Sequence, residues 1–127
     1  MRSHRPNEPS QRQLRVGEQI KHIVAETMRR GHFHSAVLLN AGMITVTEVR
    51  VSPDLKNATA YVMSLGGAGM GEIIPALNES AHIFQKEINR QANLKFTPRI
   101  KFVLDESFEQ AKRIDDLLRD IHIPADD

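Results

Sequence analysis

Basic side chains are the groups in this sequence whose types and spacing most clearly predict chemistry. Five lysines and arginines fall within the sixteen residues 86–101, and three more lie between residues 12 and 21. Such a set is typical of a phosphate-binding surface, because each cation can neutralise one charge of a nucleic-acid backbone. The candidates are Arg12, Arg15, Lys21, Lys86, Arg90, Lys95, Arg99 and Lys101. With five Phe, one Tyr and no Trp, base stacking cannot dominate, and we expect structured RNA to be recognised through its shape and backbone.

A glycine-rich segment could also cradle a phosphate. Gly66-Gly67-Ala68-Gly69 matches the GxxG string with which KH domains hold the RNA backbone, but that string should join two helices. Here it lies between a predicted strand and a predicted helix. A dinucleotide fingerprint fails because Glu72 stands where the third glycine is required, and the Gly-Lys-Ser/Thr of a P-loop is absent. A flexible connector is the favoured interpretation.

Metal and catalytic chemistry find little support in the sequence. His32 and His34 could supply two metal ligands, with Asp54 as a third, but two histidines with no acidic residue nearby are a weak pattern. The absence of cysteine excludes a disulfide framework, a thiol nucleophile and a Cys-based zinc site. No serine sits in a nucleophile motif such as G-x-S-x-G. We expect neither enzymatic activity nor a cofactor, and a metal-dependent enzyme is kept as an alternative.

The apolar pattern predicts the elements that must position the basic residues. From Leu14 onwards, apolar residues recur at helical spacing as far as Met28, and Gly31 can end this helix with a positive φ. Gly17 weakens the helix by about 1 kcal/mol relative to alanine, so packing must hold it in place. Residues 44–51 and 58–65 are rich in β-branched or alternating residues and predict two strands joined by a turn at 52–54.

The second half of the chain repeats the change from helix to strand. A helix is predicted to begin near residues 72–74, because Pro75 is tolerated only in its first turn, and to end near Ala92. Residues 99–104 predict a third strand, and Ser107-x-x-Gln110 predicts a capping box that opens a last, acidic helix. This order predicts an α+β domain with a small sheet covered by helices, preceded by a flexible arm at 1–11.

The net charge of +1 is a cancellation between two parts of the chain. Residues 1–104 carry +6 and residues 105–127 carry −5. Such asymmetry indicates a polyanionic partner on one side only, with the last helix turned away from RNA. No apolar run approaches the roughly 18 residues of a membrane span, and the polar N-terminus does not resemble a signal peptide. We expect a soluble, cytoplasmic protein with no membrane association.

Several blocks of the sequence, in order, resemble the ribosome-binding factor A family. They are QLRVGEQIKHIV (13–24), ITVTEVRVSPDL (44–55), ATAYVMSLGG (58–67), ALNESAHIF (76–84) and LKFTPRIKFVLDESFEQAKRIDDLL (94–118). The resemblance implies a single KH-like domain of type II topology over 12–121, with a kinked second helix and a short acidic tail at 122–127. In the family the kink is an Ala-x-Gly site, and its counterpart here is Ser80-Ala81-His82.

The resemblance also implies a function and partners. It implies a monomeric ribosome assembly factor that binds the immature small (30S) subunit and its 16S rRNA. Such factors assist late maturation, including 5′-end processing of the 16S rRNA precursor, and matter most in the cold. Two further alternatives stay open from the residues: a KH-like module acting on another RNA, and an adaptor that binds proteins through its acidic helix.

Overall fold

The computed structural model describes residues 8–31, 33, 36–38, 43–64, 69–107 and 117–118. In chain order the elements are helix α1 (Gln11–Arg30), a 3-10 helix (Ala36–Leu38), strands β1 (Ile44–Val51) and β2 (Asn57–Ser64), helices α2 (Met70–Glu79) and α3 (Ala81–Gln91), and strand β3 (Arg99–Leu104). The predicted α+β class and order of these elements are confirmed. Most of the predicted last helix lies outside the described residues.

The three strands form one mixed sheet in the order β1-β2-β3. β1 and β2 are antiparallel, whereas β2 and β3 are parallel, with Asn57 opposite Arg99 and Val62 opposite Leu104. A parallel pair needs a long crossover connection, and α2 and α3 supply it. The described helices therefore cover one face of the sheet, and the side chains of the other face are exposed or half-buried.

The core lies between the helices and the covered face of the sheet. Phe84 of α3 packs on Phe102 of β3 with ring centroids 4.7 Å apart, and Phe33 packs on Phe84 at 5.4 Å. Apart from Pro98, the other buried apolar side chains of the described residues are those of alanine, valine, leucine, isoleucine and methionine. An aliphatic core is what the low aromatic content predicts, and its close packing makes single methyl groups matter.

Helix α1 covers the outer edge of β1 at unusually short range. The side-chain amide of Gln13 donates to the Val51 carbonyl over 2.9 Å. One turn further on, a Cβ atom on Gly17 would lie only 2.7 Å from the Val49 carbonyl oxygen. Glycine is required here because the helix and the strand approach too closely for any side chain. The sequence predicts that packing compensates for this helix-weakening glycine, and the close approach is that packing.

The outer edge of β3 is closed by side chains from the crossover helices. Asn78 accepts from the Phe102 N–H over 2.8 Å and donates to the Phe102 carbonyl over 3.0 Å, as a neighbouring strand would. Gln85 accepts from the Ile100 N–H over 3.2 Å. Both edges of this small sheet thus receive side-chain hydrogen bonds from within the chain, which opposes edge-to-edge association.

Two helix starts differ from the sequence prediction. The sequence pattern assigns Ser10 and Gln11 to the arm, yet α1 begins at Gln11 and is capped by a reciprocal pair of hydrogen bonds between Ser10 and Gln13. The second helix begins at Met70 rather than 72–74, so Pro75 lies inside it. Gly69 explains the earlier start, because it adopts φ +79 and its carbonyl accepts from two N–H groups of the first turn before Pro75 is reached.

Candidate nucleic-acid interface

The predicted basic residues of α3 and β3 lie on two different surfaces. Lys86 and Arg90 are exposed on α3, in the helical layer. Arg99 and Lys101 are exposed on β3 and alternate with buried residues that face the helices. The alternation predicted for β3 is therefore confirmed, and it directs these two cations to the open face of the sheet. One continuous surface through all four residues is not what the fold presents.

The basic residues of α1 differ in exposure. Arg12 and Arg15 are exposed near the start of the helix, whereas Lys21 is half-buried. The buried stripe of α1 packs on the sheet, and the arginines lie outside that stripe. Arg12 and Arg15 are accordingly available to a partner, and Lys21 is less so.

An ion pair reduces the charge that α3 offers. Arg90 donates to the Glu87 carboxylate over 2.7 Å, and Arg30 of α1 lies 3.9 Å from the same carboxylate. Hydrogen bonds from Arg90 and then from Gln91 hold the pKa of Glu87 below its ordinary value. Glu87 therefore stays ionised at neutral pH, so this group of two arginines and one glutamate carries a single positive charge.

The open face of the sheet carries a further arginine, which is not among the cations predicted from the sequence. Arg50 of β1 lies over the ring of Tyr61 of β2, 5.7 Å from its centroid, and donates to Glu48 over 2.8 Å. The hydrogen bond with Glu48 raises the pKa of Arg50 above its ordinary value. An isolated arginine in a strand gives no sequence signal, because only the register of β1 against β2 brings it over the tyrosine.

A carboxylate fastens the end of β3 to β1. Asp105 accepts hydrogen bonds from the backbone and hydroxyl of Ser107, and from the hydroxyl of Thr47, where the register of β1 shifts. These bonds, with that of the Ser107 hydroxyl first, lower the pKa of Asp105. The predicted capping box that would begin at Ser107 cannot be followed further, because Gln110 lies outside the described residues.

A cluster of cations, separate from the group around Glu87, surrounds a shallow depression at one end of the molecule. Arg12 of α1, Lys56 of the β1–β2 turn and Lys95 of the α3–β3 connection line a depression of about 240 Å³. The predicted residues Arg12 and Lys95 are thus brought together although more than half of the chain separates them, and the structure adds Lys56. Arg99 is adjacent, since its N–H donates to the Lys56 carbonyl over 2.8 Å.

The turn that carries Lys56 is tightly bonded. The Asp54 carboxylate accepts from the Ser52 hydroxyl over 2.6 Å and from the Lys56 N–H over 3.0 Å. Its pKa is lowered, chiefly by the bond from Ser52. An aspartate that accepts from a backbone N–H two residues on is typical of a turn, and a turn at 52–54 is what the sequence predicts. Leu55 adopts φ +62, a conformation that is costly for a leucine and is held by the surrounding bonds.

The chain breaks between two helices at the predicted kink site. Ser80 lies between α2 and α3 with φ −95 and ψ +13, and its N–H donates to the carbonyls of Ala76 and Leu77. Because this φ is negative, the break needs no glycine, and His82 is accommodated within α3. Ser80 is buried, Ala81 is half-buried and His82 is exposed. His82 is therefore the one side chain of the three that is fully presented to a partner.

Two of the three residues of the metal hypothesis fall outside the part of the chain that the structure describes. His32 and His34 lie outside the described residues, and Asp54 is engaged in the β1–β2 turn. Among the described residues, no group of three histidines or carboxylates is placed to hold a metal ion. No helix in the same part of the chain is long and apolar enough to cross a membrane.

Comparison with known sequences identifies close relatives over nearly the whole chain. A family model described as ribosome-binding factor A matches residues 12–118. Ribosome-binding factor A of Methylorubrum extorquens is 48% identical over 121 residues, which is 95% of this chain and 83% of that protein. The protein of the same name from Zymomonas mobilis is 45% identical over 125 residues, covering 98% and 88% of the two chains.

Solved structures share the fold at lower sequence identity. The solution structure of a Thermotoga maritima protein described as a putative ribosome-binding factor A superposes with a TM-score of 0.65 at 24% identity, covering 80% of this chain and 93% of that one. A homology model of Thermus thermophilus ribosome-binding factor A, fitted into a cryo-EM map of its complex with the 30S subunit, gives a TM-score of 0.59 at 21% identity, covering 74% and 96%. These likenesses confirm the KH-like fold.

Proposed function

Because the chain belongs to the ribosome-binding factor A family, we propose that it binds the immature small ribosomal subunit through its 16S rRNA. The observation that carries this proposal is the sequence match, which spans residues 12–118 and therefore the described sheet and helices. The relative from Thermus thermophilus was fitted into a complex with the 30S subunit. The exposed cations of this chain supply the chemistry that such a partner requires.

The proposed mechanism is differential binding. The basic residues contact rRNA phosphates, and the break at Ser80, with Ala81 and His82 after it, lets the start of α3 approach the RNA backbone. A factor that binds one rRNA conformation more tightly than its competitors shifts the population towards that conformation. Acting in this way, a monomer in the cytoplasm assists late maturation, including 5′-end processing of the 16S rRNA precursor, without an enzymatic activity of its own. The benefit is greatest in the cold, when misfolded rRNA escapes slowly.

Co-sedimentation with ribosomal particles tests the proposal. In a sucrose gradient the protein should migrate with free small subunits and not with polysomes. Replacing Arg90, Lys95, Arg99 and Lys101 together by Glu should abolish this co-migration while leaving the circular dichroism spectrum unchanged. Unchanged migration of that variant would show that these residues do not form the interface. Migration with another RNA, and not with small subunits, would favour the alternative of a KH-like module with a different target.

Two double variants then identify the surface that faces rRNA. Lys86→Glu with Arg90→Glu alters the helical layer, and Arg99→Glu with Lys101→Glu alters the open sheet face. Each changes the charge by the same amount, so a difference between them reports position rather than net charge. Arg29→Glu is the control. Arg29 is exposed and paired with Glu26, and it is not one of the residues of the proposed surface.

A further inference from the structure

Phe96 is an exposed aromatic ring in a chain that has few of them. Its exposed fraction is 60%, the largest among the bulky apolar side chains of the described residues. The segment around it is held in place, because Pro98 is buried and the Thr97 hydroxyl donates to Asn89 over 2.9 Å. Lys95 Nζ lies 5.6 Å from the centre of the ring. The exposure is therefore built into an ordered connection between α3 and β3.

The surroundings of Phe96 are strongly cationic. The depression that it lines also carries Arg12, Lys56 and Lys95, against one carboxylate, that of Asp54. Asp54 Oδ1 is already bonded to the Ser52 hydroxyl and the Lys56 N–H. Three cations and one carboxylate give the lining a net charge of +2 beside an exposed ring. The rest of the lining is apolar and consists of Pro53, Leu55 and Leu94. Cations beside an exposed ring are the combination that a phosphate and a base together require.

The site is also preorganised. Lys56 follows Leu55, whose backbone is held at φ +62, and the Lys56 carbonyl accepts from the Arg99 N–H over 2.8 Å. The turn and the α3–β3 connection are thus tied to each other directly. Little ordering of the backbone is needed when a ligand binds between them.

We propose that this depression binds one unpaired RNA nucleotide, with its base stacked on Phe96 and its phosphate contacted by Lys56, Lys95 and Arg12. The proposal rests on the proposed RNA binding and adds a site to it. Helix α3 has 11 residues and so is about 16 Å long, which separates this site from the break at Ser80. A single-stranded RNA segment that emerges from a structured region would contact both ends of α3.

A single tryptophan tests the stacking. Since the chain contains no Trp, Phe96→Trp introduces a unique fluorophore into the full-length protein. Single-stranded hexaadenylate should quench its fluorescence in a saturable way, and a short RNA duplex should not. The matched control is Met43→Trp, which replaces a side chain that is 55% exposed and precedes the other end of β1. Quenching of both tryptophans alike, or equal quenching by the duplex, would overturn the proposal.

Affinity measurements separate the ring from the charges. Phe96→Leu should weaken binding of fluorescein-labelled hexaadenylate about 5- to 150-fold, as expected for one lost base stack, and Phe96→Tyr should bind normally. Lys56→Gln should instead reduce the slope of log affinity against log salt by about 0.7 for the one lost phosphate contact. Equal binding by the Leu and Tyr variants would contradict stacking. Urea unfolding of each variant verifies that the fold is retained.

Failure of this site is distinguishable from failure of the proposed function. If the wild-type protein co-sediments with small subunits but hexaadenylate does not quench Phe96→Trp, the nucleotide site is wrong and subunit binding stands. If Phe96→Leu weakens subunit binding without changing the affinity for hexaadenylate, the ring contacts a ribosomal protein instead, and the nucleotide site is again wrong. If the wild-type protein binds hexaadenylate at this site and does not bind small subunits, the site stands and the proposed function is wrong.

Discussion

At the scale of single residues, the close contact between Gly17 and the Val49 carbonyl reverses the usual effect of removing a helix glycine. Replacing a helical glycine by alanine ordinarily stabilises the helix by about 1 kcal/mol. At Gly17 the added methyl group would lie 2.7 Å from a backbone oxygen, and such overpacking costs about 1–3 kcal/mol. We therefore expect Gly17→Ala to lower the free energy of unfolding by roughly 1 kcal/mol, measured by urea denaturation.

Gly71 is the matched control for that substitution. It lies in α2, and a Cβ atom there meets nothing within 4 Å. Gly71→Ala should raise the free energy of unfolding by up to about 1 kcal/mol. Opposite signs for the two substitutions support the contact with Val49. A stabilising Gly17→Ala would show that α1 can move away from β1 without loss.

Asn78 provides a second residue-scale prediction, because one amide satisfies both backbone groups of Phe102. Asn78→Ala leaves that N–H and that carbonyl without their partner at a partly buried strand edge. We expect a loss of about 2–3 kcal/mol in the free energy of unfolding, since each lost bond contributes about 1 kcal/mol or more. Asn89→Ala removes an exposed bond to Thr97 and should cost well under half as much. Equal costs would contradict the role given to Asn78.

At the scale of elements, Asp105 joins the end of β3 to β1 and makes that junction sensitive to pH. Its pKa in the folded protein is lowered, so the ionised carboxylate favours the folded state. The stability that it contributes is present above the unfolded pKa of about 3.9 and is lost as the pH falls through the lower folded value. The urea midpoint should therefore fall as the pH is lowered from about 5 to about 3.

Variants of the junction identify the carboxylate responsible. Asp105→Asn cannot titrate, so its urea midpoint should fall less over this range than that of the wild-type protein. Thr47→Val removes one of the donors that lower the pKa of Asp105 and should change the pH dependence in the same direction. A fall as steep in Asp105→Asn as in the wild-type protein would exclude Asp105 as the source.

The break between α2 and α3 is a further property of elements rather than of one residue. Ser80 needs no positive φ, because its N–H bonds back to α2 and its carbonyl accepts from Ile83 of α3. A glycine at position 82 is therefore not required for two helices to form. What His82 contributes is an exposed imidazole at the start of α3.

At the scale of the whole molecule, the charge of +1 conceals a basic body and an acidic end. If the acidic end is turned away from RNA, its charges lie beyond a Debye length of about 8 Å from the bound phosphates and are screened at physiological salt. Neutralising Asp115, Asp116 and Asp120 together as Asn should then change small-subunit affinity by less than about twofold at about 0.15 M salt. The measurement is co-sedimentation over a range of subunit concentrations.

The same variant reports the opposite arrangement clearly. Strong tightening on loss of the three carboxylates would place the acidic end beside the rRNA. Weakening would indicate instead that the acidic end contacts a basic ribosomal protein. A charge reversal of Arg99 and Lys101 in the same background gives the comparison, because it should weaken binding in either case.

The sequence alone determined the strands β1 and β3 and most of α1, because β-branched runs and apolar periodicity are local signals. It also indicated the class of partner, through the excess of cations before residue 105. The sequence pattern places Pro75 in the first turn of its helix, whereas the helix begins earlier, at Met70. The positive φ of Gly69, which precedes that start, depends on how the chain enters α2.

Only the tertiary structure decided which cations act together. Arg12, Lys56 and Lys95 are far apart in the chain and meet because α1 crosses the edge of β1 and β3 pairs in parallel with β2. Lys86 and Lys101 are near enough in the sequence to be assigned to one surface, yet the first lies in the helical layer and the second on the open sheet face. The sequence shows which charged residues are available to a surface, whereas strand register and helix packing determine which of them lie together.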